Sequence, residues 1–388
     1  MHNTVAQKIQ VLVLIMAVCM ICISGCRFNI YSSSTDNIIA EFNSSKPTLG
    51  TSTTAADVVP TEGYSFGGYY YAEISDSCKY IYEQLYAGIP TCKSQFEIIA
   101  ASDDDINNAF QSVLYDHPEI FYVKGYSLQK ESGGKYIFIP IYSKKADEVD
   151  SARKDIDKYV SKALSKVPDG SSDYEKVKDI YEYIVTNTDY EVGSKDSDNI
   201  YSVMKYGKSV CEGYAKSMMY LLKKEGIECT IITGNVKSSG TAHMWNAVYV
   251  DGDWYYVDPT WGDTQFENSQ GTPEVRYDYM MITTEQLLQS HKISCIVPPP
   301  DCNSTKDNYY VKSNLMITDD SKGTLKKALA GIDKGEKVTF MCGSYELYNK
   351  VKTSLITMGE IYSYMDDDSK DVKFSTNDSL YILSFWTS

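Results

Sequence analysis

Asp251 and Gly252 sit between two runs, 242–250 and 253–258, that alternate in the manner of β-strands. Asp-Gly in that setting is a strong hairpin signal, because both central residues of a type I′ turn need positive φ. A two-residue turn fixes the register of everything around it. Val250 then faces Asp253, and Trp245 faces Asp258. His243, Trp245, Ala247 and Tyr249 share one face, and Met244, Asn246, Val248 and Val250 the other. Asp258 falls on the face of His243, one diagonal step away, about 7–8 Å at the backbone and within reach of two side chains. A three-residue loop would send it to the opposite face. The turn therefore predicts a paired imidazole and carboxylate.

A cysteine stands ahead of this pair. Val210-Cys211-Glu212-Gly213-Tyr214 opens a helix whose Ala215, Met218, Met219 and Leu222 recur at i, i+3, i+4 and i+7. Gly226 stops the helix as a residue just past the C-cap would. Cys211 lies in the first turn, where unsatisfied N–H groups and the helix dipole stabilise a thiolate. A strand, 227–233, follows and ends at Gly234. Thiolate, imidazole and carboxylate together make acyl-transfer machinery. Cys211 supplies the nucleophile, His243 the general base, and Asp258 the group that sets the imidazole tautomer. The Cys211 N–H is a natural oxyanion donor. Tyr201 is the candidate for a second donor, and Trp245 the aromatic candidate to line the cleft.

Three ordered motifs carry a family resemblance. They are Gly-Lys-Ser-Val-Cys-Glu-Gly-Tyr-Ala at 207–215, His-Met-Trp-Asn at 243–246 and Trp-Tyr-Tyr-Val-Asp-Pro-Thr-Trp at 254–261. Together they resemble the transglutaminase-like superfamily, and the Tyr201-Ser202 pair is similar to that of bacterial members. The resemblance implies a papain-like core with Cys211, His243 and Asp258 as its triad. It implies an α+β fold in which the helix bearing Cys211 packs on an antiparallel sheet bearing His243 and Asp258. Nothing in the chain resembles the large flanking β-domains or calcium sites of animal tissue transglutaminases, so cross-linking is not implied. Many bacterial members are described as peptidases or are uncharacterised.

The remaining sequence sets the context. Lys8 is the only charged residue of the first 25, and an apolar run, 11–23, has the length of a signal h-region rather than a membrane span. It ends Ile23-Ser24-Gly25-Cys26, which resembles a bacterial lipobox and marks Cys26 for lipidation. The domain reading is a lipoprotein signal peptide at 1–25 and a flexible Ser/Thr-rich tether at 26–61. An N-terminal α/β region at 62–170, the catalytic core at 171–292 and a C-terminal α/β module at 293–388 follow. Pro298-Pro299-Pro300 lies near the last boundary.

In the N-terminal region, helices are expected at 78–89, 103–115 and 146–164, and strands at 120–123 and 136–141. Arg276 to Ser290 reads as a strand and a helix, with His291 at the helix terminus and His117 as a turn or capping residue. Cys295–Cys302 is one disulfide the spacing permits. The net charge of −15 argues against nucleic-acid binding. Four histidines, no glycine-rich phosphate loop and no paired-cysteine ribbon give no expectation of metal or cofactor. The expected protein is an extracytoplasmic, lipid-anchored thiol enzyme acting on a protein or peptide, cell-wall peptide among the candidates. The alternative is a catalytically idle surface binding or scaffold protein.

Overall fold

The computed structural model describes residues 67–263, 274–366 and 371–387. The signal, the tether and Cys26 lie outside the described residues. The chain is an α+β protein. Its elements in order begin with α1 (Tyr69–Glu73), α2 (Asp76–Gly88), β1 (Phe96–Ile99), α3 (Asp103–Asp116), β2 (Val123–Lys130) and β3 (Lys135–Tyr142). Helix α3 starts where Ser102 accepts from the Asp105 N–H at 3.1 Å, a side-chain cap. Its C-cap is His117, whose ring stacks on Tyr86 with centroids 4.1 Å apart. Gly133 and Gly134 turn β2 into β3 with positive φ. The expected strand at 120–123 forms later, from Val123, because Ile120 and Phe121 are drawn into the core in a turn. Strand β1 had no alternation long enough to announce it.

The core proper follows: α4 (Ala146–Leu164), α5 (Asp173–Thr186), β4 (Asp189–Tyr190), β5 (Lys208–Ser209), α6 (Cys211–Lys224), β6 (Cys229–Val236), β7 (Ala242–Val250) and β8 (Asp253–Val257). Then come α7 (Pro259–Gly262), β9 (Met280–Ile282), α8 (Thr284–Leu287) and β10 (His291–Ile293). Five strands make one antiparallel sheet in the order β10-β6-β7-β8-β9. Val250 pairs with Asp253 and Asn246 with Val257, so the hairpin has its two-residue turn, with Asp251 at φ 51° and Gly252 at φ 94°. One expectation fails here. His291 does not end a helix; it opens β10, opposite Val236 of β6, because α8 ends at Leu287 and the chain turns through 288–290 before it extends.

The sheet is buried on both sides. Met244, Val248, Val250, Tyr255 and Val257 join α5 and α6 in the main core, with Val177, Ile180, Met218, Met219 and Leu222. Trp245, Ala247, Tyr256 and Ile282 pack on the opposite side with Leu287, Cys302, Tyr310, Met341 and Ile382. Both faces of β7 are therefore apolar, as a strand sandwiched between layers requires. The second layer comes from the C-terminal segment: α9 (Tyr309–Lys312), β11 (Met316–Ile317), α10 (Lys322–Ala328), β12 (Val338–Cys342), α11 (Tyr345–Lys352), β13 (Val372–Asn377) and β14 (Ile382–Thr387). Its sheet runs β11-β12-β14-β13 over a core of its own. Polar ties reinforce the seam, since Asp278 accepts from Tyr310 Oη at 2.7 Å and from Asn377 Nδ2 at 2.8 Å. Asp278 precedes β9, whereas Tyr310 and Asn377 belong to the C-terminal segment.

Gly234 lets three pieces meet. A β-carbon there would lie 2.0 Å from the Lys292 carbonyl oxygen and 2.8 Å from Trp245 Cη2. Only a residue without a side chain allows β10 and Trp245 to close on β6 together. Gly234→Ala is expected to cost about 1–3 kcal/mol, the range for overpacking a tight core. Urea unfolding monitored by tryptophan fluorescence checks this; an unchanged midpoint would contradict it.

Candidate active site

The first turn of α6 is built by the loop before it. Val210 N–H donates to the Ser197 carbonyl at 3.0 Å, and Ser209 Oγ donates to the same carbonyl at 2.7 Å. Gly213 permits the packing, since a β-carbon there would fall 1.9 Å from Ser209 Oγ and 3.1 Å from the Asn199 carbonyl oxygen. Cys211 opens the helix and is 2% exposed. None of the seven described cysteines is in a disulfide, Cys295 and Cys302 included. Glu212 beside it forms an ion pair with Lys216 at 2.6 Å, and burial pushes its carboxyl above the usual range against the pull of that lysine.

Helix α6 is pinned to β7. Asn246 Nδ2 donates to the Ala215 carbonyl at 3.0 Å, one helical turn after Cys211 and three residues after His243. The Tyr214 hydroxyl lies 2.8 Å from both the Thr188 carbonyl and Asp263 Oδ2, which connects the helix to the segment after Asp258. Burial raises that tyrosine far above its ordinary range, so it stays a proton donor.

Asp258 sits at the centre, 1% exposed. Its backbone ends β8 and its side chain caps α7. Oδ1 accepts from the N–H groups of Thr260 at 2.9 Å and Trp261 at 3.2 Å. Pro259 at the first helical position needs no such partner. Oδ2 lies 2.6 Å from His243 Nε2. The Asp-Pro-Thr-Trp sequence is thus one device: a cap whose second oxygen is aimed at an imidazole. That bond occupies His243 Nε2 and leaves Nδ1 as the ring nitrogen for a second partner. Burial opposes ionisation of Asp258, but the charge of His243, its hydrogen bond to Oδ2 and the nearby imidazole of His291 overcome it. They hold the carboxyl well below the usual carboxylate range.

His291 was not legible as part of this site. It is fully buried, and its Nε2 lies 3.5 Å from Asp258 Oδ2. Burial, partly offset by Asp258, pushes its imidazole below the ordinary range and favours the neutral ring. Its only sequence signal was position, directly after a predicted helix, and three-dimensional proximity to Asp258 leaves no local pattern. His243, Asp258 and His291 offer three ligand atoms within 4.8 Å of one another. The 2.6 Å between His243 Nε2 and Asp258 Oδ2 is nevertheless a hydrogen-bond distance. Two ligands of one tetrahedral zinc stand about 3.3 Å apart at bond lengths of about 2.0–2.1 Å, so the cluster as placed does not fit that ion.

The two remaining candidates are placed as packing residues. Trp245 is fully buried, 5.7 Å from the His243 ring and 5.0 Å from the His291 ring between centroids. It backs the imidazoles from the core and does not line an open cleft, because the C-terminal segment covers its face of the sheet. Tyr201 stacks on Phe121 with centroids 5.7 Å apart, and the Lys144 ammonium lies 4.5 Å from its ring centroid. Its ring joins the N-terminal region to the core.

The depressed Asp258 carboxyl has a consequence for stability. Its contribution is complete above the unfolded-state value of about 4 and is lost as pH falls below that towards the folded-state value. The stability gap between wild type and Asp258→Asn should therefore be widest near neutrality and shrink below about pH 4. Urea midpoints measured from pH 7 to pH 3 would show it, and a gap constant with pH would contradict it.

Residues 162–259 match the model of the transglutaminase-like superfamily, a span that contains Cys211, His243 and Asp258. The human kyphoscoliosis peptidase is 23% identical over 187 residues, 42% of this chain and 28% of its own length. The mouse kyphoscoliosis peptidase is 24% identical over 166 residues, 37% of this chain and 25% of its own. The chain thus spans about a quarter of the length of these curated relatives. Among solved structures, a TGase aligns over 42% of this chain and 50% of its own, at 14% identity and a TM-score of 0.26. The periplasmic domain of TgpA from Pseudomonas aeruginosa aligns over 32% and 55%, at 14% identity and a TM-score of 0.23. The chain carries a domain of the transglutaminase-like superfamily at residues 162–259.

Proposed function

We propose that this protein is a thiol hydrolase that cleaves peptide or amide bonds through an acyl-thioester on Cys211. The observation that carries the reading is the 2.6 Å bond between His243 Nε2 and Asp258 Oδ2, on a strand pinned to the helix that Cys211 opens. With Asp258 on Nε2, the basic lone pair of neutral His243 is on Nδ1. In the proposed reaction Nδ1 takes the Cys211 proton, and the thiolate attacks the carbonyl carbon. The C–N bond breaks as the imidazolium protonates the leaving amine. Water, deprotonated by the same imidazole, then attacks the thioester and releases the acid and the thiol. The Cys211 N–H stands as the first oxyanion donor.

Hydrolysis is favoured over cross-linking because no sequence motif marks a subsite for an acceptor amine. The proposed location is outside the cytoplasm, with the lipid on Cys26 as anchor and a protein or peptide, cell-wall peptide among them, as substrate. This rests on the apolar run and the small pair ahead of Cys26.

Alkylation of Cys211 by iodoacetamide across pH tests the chemistry. The wild type should react with an apparent pKa well under the ordinary thiol value of about 8.5. His243→Ala should lower the rate at pH 7 by about tenfold or more, since an ordinary thiol of pKa about 8.5 is only about 3% thiolate there. A Cys211 no more reactive than a plain thiol would instead support the idle scaffold reading. Profiling of a peptide library with wild type and Cys211→Ala identifies the substrate; cleavage by both proteins would overturn the assignment.

A further inference from the structure

Asp258 Oδ2 faces two imidazoles, and only one of them belongs to the triad. His291 approaches from β10, an edge strand of the sheet that closes on β6 where Gly234 has no side chain. Its ring is enclosed by Trp261 at 4.4 Å, Trp245 at 5.0 Å and Tyr279 at 5.4 Å between centroids. The titratable groups around it are Asp258, His243 on β7 and Tyr279 before β9. A ring so enclosed keeps one orientation, and its hydrogen-bond neighbours are all identifiable.

One assignment of the proton directions along this cluster leaves no buried donor unpaired. Tyr279 Oη is 2.9 Å from Ser290 Oγ and donates to it; burial raises the phenol far above its ordinary range, so it keeps its proton. Ser290 Oγ is 2.8 Å from His291 Nδ1. Its other acceptor, the Leu287 carbonyl, is at the limit of 3.5 Å, so its own proton is best used on Nδ1. A neutral His291 that accepts at Nδ1 carries its proton on Nε2. That proton faces Asp258 Oδ2 at 3.5 Å, and Nε2 has no closer hydrogen-bond partner. A buried donor with nothing else to bond is costly, which favours this alignment.

We propose that His291 is a positioning residue for the thiol chemistry. Fed by Tyr279 and Ser290, it presents Nε2–H to Asp258 Oδ2 and holds the carboxylate on His243, so that His243 keeps its own proton on Nε2 and its base on Nδ1. This rests on the triad reading above. It adds that the triad carboxylate is oriented from two directions: by the α7 backbone at Oδ1 and by a second imidazole at Oδ2.

The test uses full-length protein and two independent readouts. Nitrogen-15 spectra of histidine-labelled protein at pH 7 report the tautomer of each ring, and the chain has only four histidines to assign. Both His243 and His291 should be Nε2–H tautomers; His291 found protonated on Nδ1 alone overturns the proposal. The second readout is Cys211 alkylation as a function of pH. His291→Leu should lower the rate at pH 7 at least tenfold and raise the apparent thiol pKa. His291→Gln, whose side-chain amide still offers an N–H, should recover most of the rate. Ser290→Ala should give a smaller loss in the same direction.

If His291→Leu fails to fold, Gln and Ser290→Ala carry the test. A wild-type profile in all folded variants, with an activated Cys211 in the wild type, overturns this inference and leaves the triad standing. An ordinary Cys211 in the wild type overturns the triad reading itself. Equal loss in Leu and Gln variants, with the tautomers unchanged, reduces His291 to filler and also overturns the proposal.

Discussion

One carboxylate organises the centre of this molecule. Asp258 ends β8, caps α7 with Oδ1 and meets His243 with Oδ2. A buried carboxylate is tolerated only when nearly all of its lone pairs are used, and here each acceptor serves a different element. The cap ties it to the chain ahead, the imidazole to β7, and His291 to β10. Removing the charge would therefore loosen a helix turn and a sheet edge together with the candidate base. The environment also explains why Asp258 stays ionised: burial alone would drive it the other way.

The strand pairing around it was readable because it depends on local chemistry. Asp251-Gly252 permits two positive φ values in succession, and the period of two carries the register from Val250 back to Trp245. The helix of Cys211 was readable for the same reason, through its i, i+3, i+4 spacing and its glycine stop. Helix capping is equally local: the Ser102 and Ser172 side chains accept from the N–H groups of Asp105 and Glu175, three residues on.

What escaped depends on distance in sequence. His291 is 33 residues beyond Asp258 along the numbering of the chain, and a three-residue edge strand offers no periodicity to detect. Trp245 reads as an exposed-capable aromatic until the layer from Leu287, Cys302 and Met341 is known to lie over it. Tyr201 stands near Cys211 in the sequence, but its ring packs against Phe121 and Lys144, far earlier in the chain. In each case the partner that decides the residue's surroundings came from elsewhere in the chain.

The double burial of β7 changes what counts as the smallest working piece of this protein. The family match ends at residue 259, yet the back of the sheet is sealed by residues as late as Leu380 and Ile382. A fragment cut at the family boundary would present Trp245, Ala247 and Tyr256 to water as one apolar sheet face, and it would lack the β10 edge. Such a surface invites self-association. The C-terminal segment is therefore to the central sheet what the second slice is to a sandwich: the filling does not hold its shape without it.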